Sequence, residues 1–324
     1  MQQVTRFDAN HEDLVHDIAY DFYGRRLVSC SSDQKLKVWD FDEDAGWELN
    51  DSWKAHDCSV LKVCWGHPEY GQVIASCSFD RSVRIWEEQD HEPRNSGRRW
   101  VERARLVDSR GSVQDIEFAP HHHGLWMATC AADGTVRIYE AMEVVNLSHW
   151  TLTEEFEVSV GGAGKEAEGN YCLSWCPSKF QQPQLAVGCG RDHTCKIFRM
   201  DQHGKWQARE ELFGHEGVVH DVAWAPNVGR SYHLIATACK DHRVRIFKLT
   251  ENPGDNERRY KVEMVANFVD HNAEVWRVEW NITGTILSTS GDDGKVRLWK
   301  ATYADEWKCM SIISAEHGGD RMER

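Results

Sequence analysis

Three segments of the sequence each combine a histidine, a hydroxyl residue, an aspartate and a tryptophan. The sets are His11, Ser29, Asp33 and Trp39; His56, Ser76, Asp80 and Trp86; and His271, Thr289, Asp293 and Trp299. A serine, a histidine and an aspartate can hydrolyse esters or amides when the histidine activates the hydroxyl group. The same groups can also form a buried hydrogen-bond chain, because indole only donates, hydroxyl and neutral imidazole do both, and carboxylate accepts.

The recurrence of this set distinguishes between the two kinds of chemistry. A catalytic site occurs once in a chain, whereas this set returns at the same place in several repeats. Other repeats are degenerate: the fifth keeps His215, Thr237 and Asp241 but has Phe247, which cannot donate, and the fourth has Gly188 at the expected hydroxyl position. We therefore interpret the sets as structural, and we predict no catalytic residues and no enzymatic activity.

Other residues that could bind ligands have simpler explanations. The run His121–His123 lies in a turn without partner ligands at zinc-site spacing, so the sequence predicts a solvated loop and no metal. The basic segment 94–99 is short and flanked by acidic residues, which also indicates a solvated loop. The sequence contains no glycine-rich phosphate loop, and we expect no cofactor.

An Asp-x5-aromatic pattern recurs six times and defines the repeats that position these sets. The copies are Asp33–Trp39, Asp80–Trp86, Asp133–Tyr139, Asp192–Phe198, Asp241–Phe247 and Asp293–Trp299. Each copy predicts a tight turn followed by a strand. A strand ending in an aromatic residue and then a short apolar strand precede each copy, and a variable fourth strand such as 47–53 closes each unit.

Four short strands in each of six repeats are the signature of a WD-repeat β-propeller. We therefore predict an all-β fold of six four-stranded blades over residues 11–314, preceded by residues 1–10 and followed by a tail at 315–324. The sixth repeat already has its own fourth strand at 307–313. The segment formed by Val4, Thr5, Arg6 and Phe7 is then surplus, and we predict an open propeller in which this segment lies beside an edge that accepts a partner strand. The alternative is that the segment is frayed or packs on the propeller.

Composition excludes several classes of protein. The 324 residues include 38 basic and 52 acidic side chains, and the net charge of -14 argues against direct nucleic-acid binding. No apolar run approaches the roughly 20 residues that span a bilayer. The 11 cysteines form no Cys-x-x-Cys pair, which favours a reducing cytosolic or nuclear compartment.

Longer segments resemble the Seh nucleoporin family, most of all its fungal members, over essentially the whole chain. They are 11–17, 30–34, 76–80, 118–125, 173–178, 224–230 and 270–276 continuing to 301–303. The resemblance implies an open six-bladed propeller in the Y-shaped outer-ring scaffold of the nuclear pore, where a helical nucleoporin donates a blade in trans. It also implies a place in the SEA/GATOR assembly at the vacuole or lysosome, which regulates amino-acid signalling to TOR.

Two other functions compete with a scaffold role. WD-repeat substrate adaptors of ubiquitin ligases often carry Trp-Asp-x-Arg, but Trp39-Asp40 is followed by Phe41-Asp42. A propeller enzyme would need a unique cluster of acids or histidines, and only the recurrent set is present. We therefore expect a hetero-oligomeric, non-enzymatic scaffold subunit at the nuclear envelope and the vacuolar or lysosomal surface.

Overall fold

A computed structural model describes residues 7–158, 171–190, 192–201, 203–252 and 259–314. These residues form 24 β-strands and two three-residue 3-10 turns, Pro68–Tyr70 and His121–His123. The strands assemble into six four-stranded antiparallel sheets, and the strands of each sheet are neighbours in chain order. The predicted all-β, six-bladed WD-repeat propeller is confirmed. Within the described ranges, no helix is long and apolar enough to cross a membrane.

The chain divides into two compact units, residues 1–155 and 156–324. Blade 1 comprises β1 (Val15–Tyr20), β2 (Arg26–Ser31), β3 (Lys35–Asp42) and β4 (Gly46–Lys54). Blade 2 comprises β5 (Val60–Trp65), β6 (Val73–Ser78), β7 (Val83–Glu88) and β8 (Trp100–Leu106). Blade 3 comprises β9 (Val113–Phe118), β10 (Trp126–Ala131), β11 (Thr135–Ala141) and β12 (Trp150–Glu157).

The second unit contains the remaining three blades. Blade 4 comprises β13 (Cys172–Trp175), β14 (Gln184–Cys189), β15 (Thr194–Met200) and β16 (Trp206–Leu212). Blade 5 comprises β17 (Val219–Trp224), β18 (Tyr232–Cys239), β19 (Val244–Glu251) and β20 (Tyr260–Phe268). Blade 6 comprises β21 (Val275–Trp280), β22 (Ile286–Gly291), β23 (Lys295–Ala301) and β24 (Trp307–Ser314).

The repeated aspartate forms the turn between the second and third strands of a blade. Asp33 Oδ1 accepts a hydrogen bond from the backbone N–H of Lys35 at 2.9 Å, and Asp80 Oδ1 accepts from Ser82 N at 3.0 Å. The residue that follows the aspartate takes a positive φ, 69° at Gln34 and 67° at Arg81. A short side chain that accepts from the backbone two residues on stabilises such a turn. The aspartate is therefore needed by the turn as well as by the polar set.

Apolar cores lie between the facing sheets of consecutive blades. Blade 1 contributes Val28, Leu36 and Val38 to one core, and blade 2 contributes Val60 and Ile74 to the same core. Equivalent clusters join blades 2 and 3, blades 4 and 5, and blades 5 and 6. Blade 2 thus uses one face of its sheet for blade 1 and the other face for blade 3, and blade 5 does the same with blades 4 and 6.

Polar contacts also join the first strands of neighbouring blades. Asp17 Oδ2 accepts from Val63 N at 3.3 Å, and Asp221 Oδ2 accepts from Val278 N at 3.0 Å. Between blades 2 and 3, Lys62 Nζ lies 3.6 Å from a carboxylate oxygen of Asp115. These contacts fix the first strands against one another, so that the turns following them lie at the same end of neighbouring blades.

Candidate functional site

The polar sets form linear hydrogen-bond chains in blades 1, 2 and 6. In blade 2, His56 Nδ1 lies 3.0 Å from Asp80 Oδ2, and His56 Nε2 lies 2.8 Å from Ser76 Oγ. Ser76 Oγ also accepts from Trp86 Nε1 at 2.9 Å. The chain in blade 1 runs from Asp33 through His11 and Ser29 to Trp39. The chain in blade 6 runs from Asp293 through His271 and Thr289 to Trp299.

Burial fixes the charge states in blade 2. Burial lowers the pKa of His56 and outweighs its hydrogen bond with Asp80. Burial alone would raise the pKa of Asp80, but hydrogen bonds from His56 and Ser82 hold it well below its usual value. Neutral pH therefore gives a neutral imidazole beside an ionised carboxylate, and a chain in which each group has a partner.

This geometry resembles a hydrolytic triad but is closed to substrates. The Ser76 side chain is fully buried, and its oxygen is occupied by both His56 and Trp86. A nucleophile must reach a substrate carbonyl, and an oxyanion site must lie beside it. The arrangement can stabilise a blade, but it cannot present this hydroxyl group to a substrate.

Blade 4 departs from the sequence expectation by one residue. In blade 1, Ser29 pairs across the sheet with Lys37, which lies four residues after Asp33. In blade 4, the residue four positions after Asp192 is Lys196, and it pairs with Val187. Gly188 therefore does not occupy the hydroxyl position, because the hairpin between β14 and β15 is one residue longer. Asp192 instead forms an ion pair with Lys196 at 3.1 Å.

The other degenerate blades use substitute partners. In blade 3, the Tyr139 hydroxyl donates to Asp108 Oδ2 at 3.0 Å, a pair that the sequence pattern does not reveal. In blade 5, His215 Nε2 lies 2.8 Å from Thr237 Oγ1, while Arg245 binds Asp241 at 2.6 Å. Burial lowers the pKa of His215 to about 4, with Arg245 adding to the effect.

The expectation of a solvated loop at residues 94–99 is wrong for its last residue. Arg99 Nε lies 2.7 Å from Glu88 Oε1, and Arg26 from blade 1 binds the same carboxylate at 2.6 Å. All three side chains are largely buried. Backbone N–H groups of Gly97 and Arg99 donate to the carboxylate of Asp51 at 2.8 and 3.0 Å. The loop therefore packs as part of the junction between blades 1 and 2.

The preceding-blade face of blade 1 is exposed where the same positions in other blades are buried. Val15 is 46% exposed and Ile18 is 54% exposed. The residues in register with Val15 in other blades are 0% exposed; they are Val60, Val113, Val219 and Val275. Those in register with Ile18 are at most 4% exposed; they are Val63, Ile116, Leu173, Val222 and Val278. The first strand of blade 1 thus presents an exposed apolar stripe at positions that are buried in the other blades.

The following-blade face of blade 6 is exposed in the same sense. Val296 is 37% exposed, whereas the residues in its register in the other five blades are at most 2% exposed; they are Leu36, Val83, Val136, Cys195 and Val244. On the adjacent strand β24, Met310, Ile312 and Ile313 are also exposed. Exposed apolar positions that recur as core elsewhere in a fold indicate an interaction surface.

Of the predicted surplus strand, only Phe7 lies within the described residues; Val4, Thr5 and Arg6 lie outside them. Phe7 belongs to no strand, and its ring packs against Trp39 at 5.0 Å and Trp47 at 6.0 Å between centroids. Lys37 Nζ donates to the carbonyl oxygen of Ala9 at 2.9 Å. Phe7 therefore covers part of the blade 1 face beside the exposed stripe of β1.

The His121–His123 turn has neighbours that its sequence context does not show. The imidazoles of His121 and His67 stack with their centroids 4.2 Å apart, and Glu69 lies in the same cluster. Blade 2 supplies His67 and Glu69, and blade 3 supplies His121. In the part of the chain that the structure describes, these are the residues whose ligand atoms group closely enough to hold a metal ion.

Comparisons with known proteins agree with the repeat structure and extend it. The "WD domain, G-beta repeat" family model matches residues 1–40, 47–87, 104–140, 206–248 and 262–300. The chain is 45% identical to Nucleoporin seh1 of Schizosaccharomyces pombe, with 98% of each chain covered. It is 44% identical to Nucleoporin SEH1 of Saccharomyces cerevisiae, with 96% of this chain and 99% of the relative covered. It is 46% identical to Nucleoporin SEH1 of Homo sapiens, with 94% of this chain and 86% of the relative covered. The chain therefore belongs to the nucleoporin SEH1 family of WD-repeat proteins.

Proposed function

We propose that this chain is a non-enzymatic scaffold subunit of the nuclear pore outer ring, the Y complex. Two observations support the proposal: the names of its relatives, which are nucleoporins from fungi to human, and the uncovered apolar stripes of blades 1 and 6. The exposure of Val15 and Ile18 carries the argument, because an apolar stripe that serves as core in the other blades requires an occupant.

The proposed occupant is a β-element inserted by a helical scaffold partner. Its strands would pair with an open sheet edge through backbone hydrogen bonds, and its side chains would cover Val15 and Ile18 of blade 1. An inserted blade buries more surface than the roughly 1,600 Å² of an ordinary interface, so the complex should dissociate slowly.

The N-terminal segment has a supporting part in this proposal. Phe7 packs on Trp39 and Trp47 of blade 1 and so occupies a portion of the same face. We propose that Val4, Thr5, Arg6 and Phe7 lie beside the inserted element and contact it. An edge that is partly covered by its own chain selects a partner whose strands fit the remaining space.

The same surface can serve in a second assembly. We propose that the chain is also a subunit of the SEA/GATOR complex, which regulates amino-acid signalling to TOR at the vacuole or lysosome. The nuclear envelope and that membrane surface are then its two locations, and it reaches both as a peripheral subunit held by other proteins. Its net charge of -14 disfavours direct binding to nucleic acid in either place.

A role as a ubiquitin-ligase adaptor has weaker support. In place of the Trp-Asp-x-Arg motif, Trp39-Asp40 is followed by Phe41-Asp42. Asp40 forms ion pairs with Arg26 at 2.9 Å and Arg94 at 3.2 Å, which gives it a role within blade 1 and the junction to blade 2. An enzymatic role is disfavoured by the buried hydroxyl groups of the polar sets.

Affinity purification of the tagged chain from cells tests the proposal. We expect stoichiometric recovery of helical scaffold proteins, and loss of those proteins from the Ile18→Asp chain. Ile282→Asp is the matched control, because Ile282 is also exposed but lies in the turn after β21. Recovery of cullin-linked proteins in place of scaffold proteins would support the adaptor role and contradict the proposal.

A further inference from the structure

Two equivalent turns of blades 2 and 3 meet at one end of the first compact unit. The segment after β5 continues through His67 into the 3-10 turn Pro68–Tyr70, and the segment after β9 continues into the 3-10 turn His121–His123. The Tyr70 hydroxyl donates to the carbonyl oxygen of His121 at 3.1 Å. This bond crosses between the blades, so the distance between the two turns is fixed by the fold.

The side chains of these turns converge on a small volume. His67 and His121 stack with an interplanar angle of 18°, and the ligand atoms of His67, Glu69 and His121 all lie within 4.8 Å of one another. Phe22 also contacts His67 in an edge-on arrangement, with centroids 5.0 Å apart. The His67 ring therefore packs against two aromatic rings, which leaves less conformational entropy to be lost on ligation.

His67 Nδ1 lies beside both the backbone and the side chain of Glu69. The backbone N–H of Glu69 lies 3.4 Å from this nitrogen, and Glu69 Oε2 lies 3.5 Å from it. The carboxylate is therefore already placed beside an imidazole, and both groups are ligands that Zn²⁺ accepts. The second imidazole, from His121, adds another nitrogen ligand to the same point.

We propose that His67, Glu69 and His121 bind a divalent transition-metal ion of the Zn²⁺ class. Two imidazoles and one carboxylate suit Zn²⁺ better than Mg²⁺ or Ca²⁺, which prefer oxygen ligands. Ligand atoms around tetrahedral Zn²⁺ lie about 3.4 Å apart, given bond lengths near 2 Å, so the cluster must contract by roughly 1 Å. Glu69 is exposed and free to rotate into place, and solvent fills the fourth position.

The metal would cross-link blades 2 and 3 through residues 52 to 54 positions apart. The histidine run at 121–123 alone cannot provide this site, because neighbouring residues in a three-residue turn point in different directions. His67 and Glu69 supply the missing ligands from the preceding blade. The site therefore depends on blade packing, and the expectation that the chain binds no metal is replaced by a defined ligand set.

Calorimetric titration of Zn²⁺ into the untagged full chain tests the proposal. Cys58 and Cys309 are exposed thiols, so the parent chain for this test carries Cys58→Ser and Cys309→Ser. We expect one Zn²⁺ per chain, and a thermal midpoint that rises with Zn²⁺ by mass action. Glu69→Gln and His121→Gln should each weaken binding at least about tenfold and abolish the rise.

His122→Gln is the matched control, because it removes a histidine from the same turn outside the ligand set. It should retain both the stoichiometry and the thermal shift. If the parent chain shows no saturable binding, the three side chains are only a polar contact between the blades, and the proposal is overturned. Equal losses in His121→Gln and His122→Gln, or full affinity in Glu69→Gln, would overturn it as well.

Discussion

The hydroxyl oxygen at the centre of each complete polar set has two fixed partners. In blade 2, Ser76 connects the indole of Trp86 on one side to the imidazole of His56 on the other. Each member of such a chain leaves a buried partner unsatisfied when it is removed, which costs more than the net energy of the bond itself. The residues that look catalytic in the sequence are therefore the ones on which blade stability depends.

Asp80→Ala should be markedly more destabilising than Asp192→Ala. Asp80 accepts from His56, from the Ser82 hydroxyl and from the backbone of Asp57, and its removal takes this partner from the buried His56 and Ser82 side chains, a loss of roughly 1–3 kcal/mol. Asp192 pairs with Lys196, and Val187 at the hydroxyl position has no polar side chain to join a polar set. Urea midpoints of the two purified variants measure the difference, and equal losses would refute the network assignment.

Stability should fall as the pH decreases from about 6.5 to about 4. Burial lowers the pKa of both His215 and His233 to about 4. Below the unfolded-state value near 6.5 the unfolded chain takes up protons that the folded chain cannot, so each histidine costs up to about 3 kcal/mol by pH 4. The contribution is absent above pH 6.5. Urea unfolding at several pH values measures this slope.

His233→Gln isolates one of these two groups. In the native blade, Trp224 Nε1 donates to His233 Nδ1 at 3.3 Å, and the glutamine oxygen can accept the same bond. The variant should stay folded at neutral pH, and its free energy of unfolding should fall less steeply than that of the wild type as the pH decreases. His91→Gln, at an exposed position, is the control and should keep the wild-type slope. An unchanged slope in His233→Gln would contradict the assignment.

The order of partners within a polar set could be predicted from hydrogen-bonding capacity alone. The pairing of Tyr139 with Asp108 could not, because Tyr139 stands at the tryptophan position but Asp108 has no counterpart in the complete set. The one-residue insertion that places Val187 at the hydroxyl position was also hidden, because the spacing from Asp192 to Phe198 matches the other repeats and does not show how the preceding strand pairs. Register is set by strand pairing, which depends on contacts across the sheet.

At the scale of elements, first strands join consecutive blades. The apolar side of β5 packs on blade 1, and Asp17 of β1 accepts from the backbone of Val63 in β5. In blade 1 the apolar side of β1 stays exposed, while Phe7 packs on the adjacent Trp39 and Trp47. Phe7 therefore protects a part of this face that lies outside β1.

Phe7→Ala should lower the stability of the isolated chain and weaken partner binding. The ring contacts two tryptophans, and aromatic pairs of this kind contribute roughly 0.5–1.5 kcal/mol beyond their buried area. Phe180→Ala is the matched control, because Phe180 is almost fully exposed. Thermal midpoints and partner titrations of both variants provide the measurement. Equal behaviour of the two variants would show that Phe7 does not support the face.

At the scale of the whole molecule, sequence periodicity predicted the number of blades and the four strands in each. It could not predict contacts between residues far apart in the chain, such as Arg26 with Glu88 or His67 with His121. Such pairs depend on how consecutive sheets pack. The exposure of Val15 and Ile18 depends on packing in the same way, and the sequence offered only the strand count as a hint.

The central claim is that the uncovered face of blade 1 accepts the partner's β-element. It is tested most directly by titrating the stoichiometric partner recovered from cells into purified wild-type, Ile18→Asp and Ile282→Asp chains. Ile18 is already exposed, so the charge should leave the isolated chain folded, which thermal unfolding verifies. We predict that Ile18→Asp weakens binding at least about tenfold, or roughly 1.4 kcal/mol, while Ile282→Asp binds as the wild type does. A folded Ile18→Asp chain that binds with wild-type affinity would contradict the account.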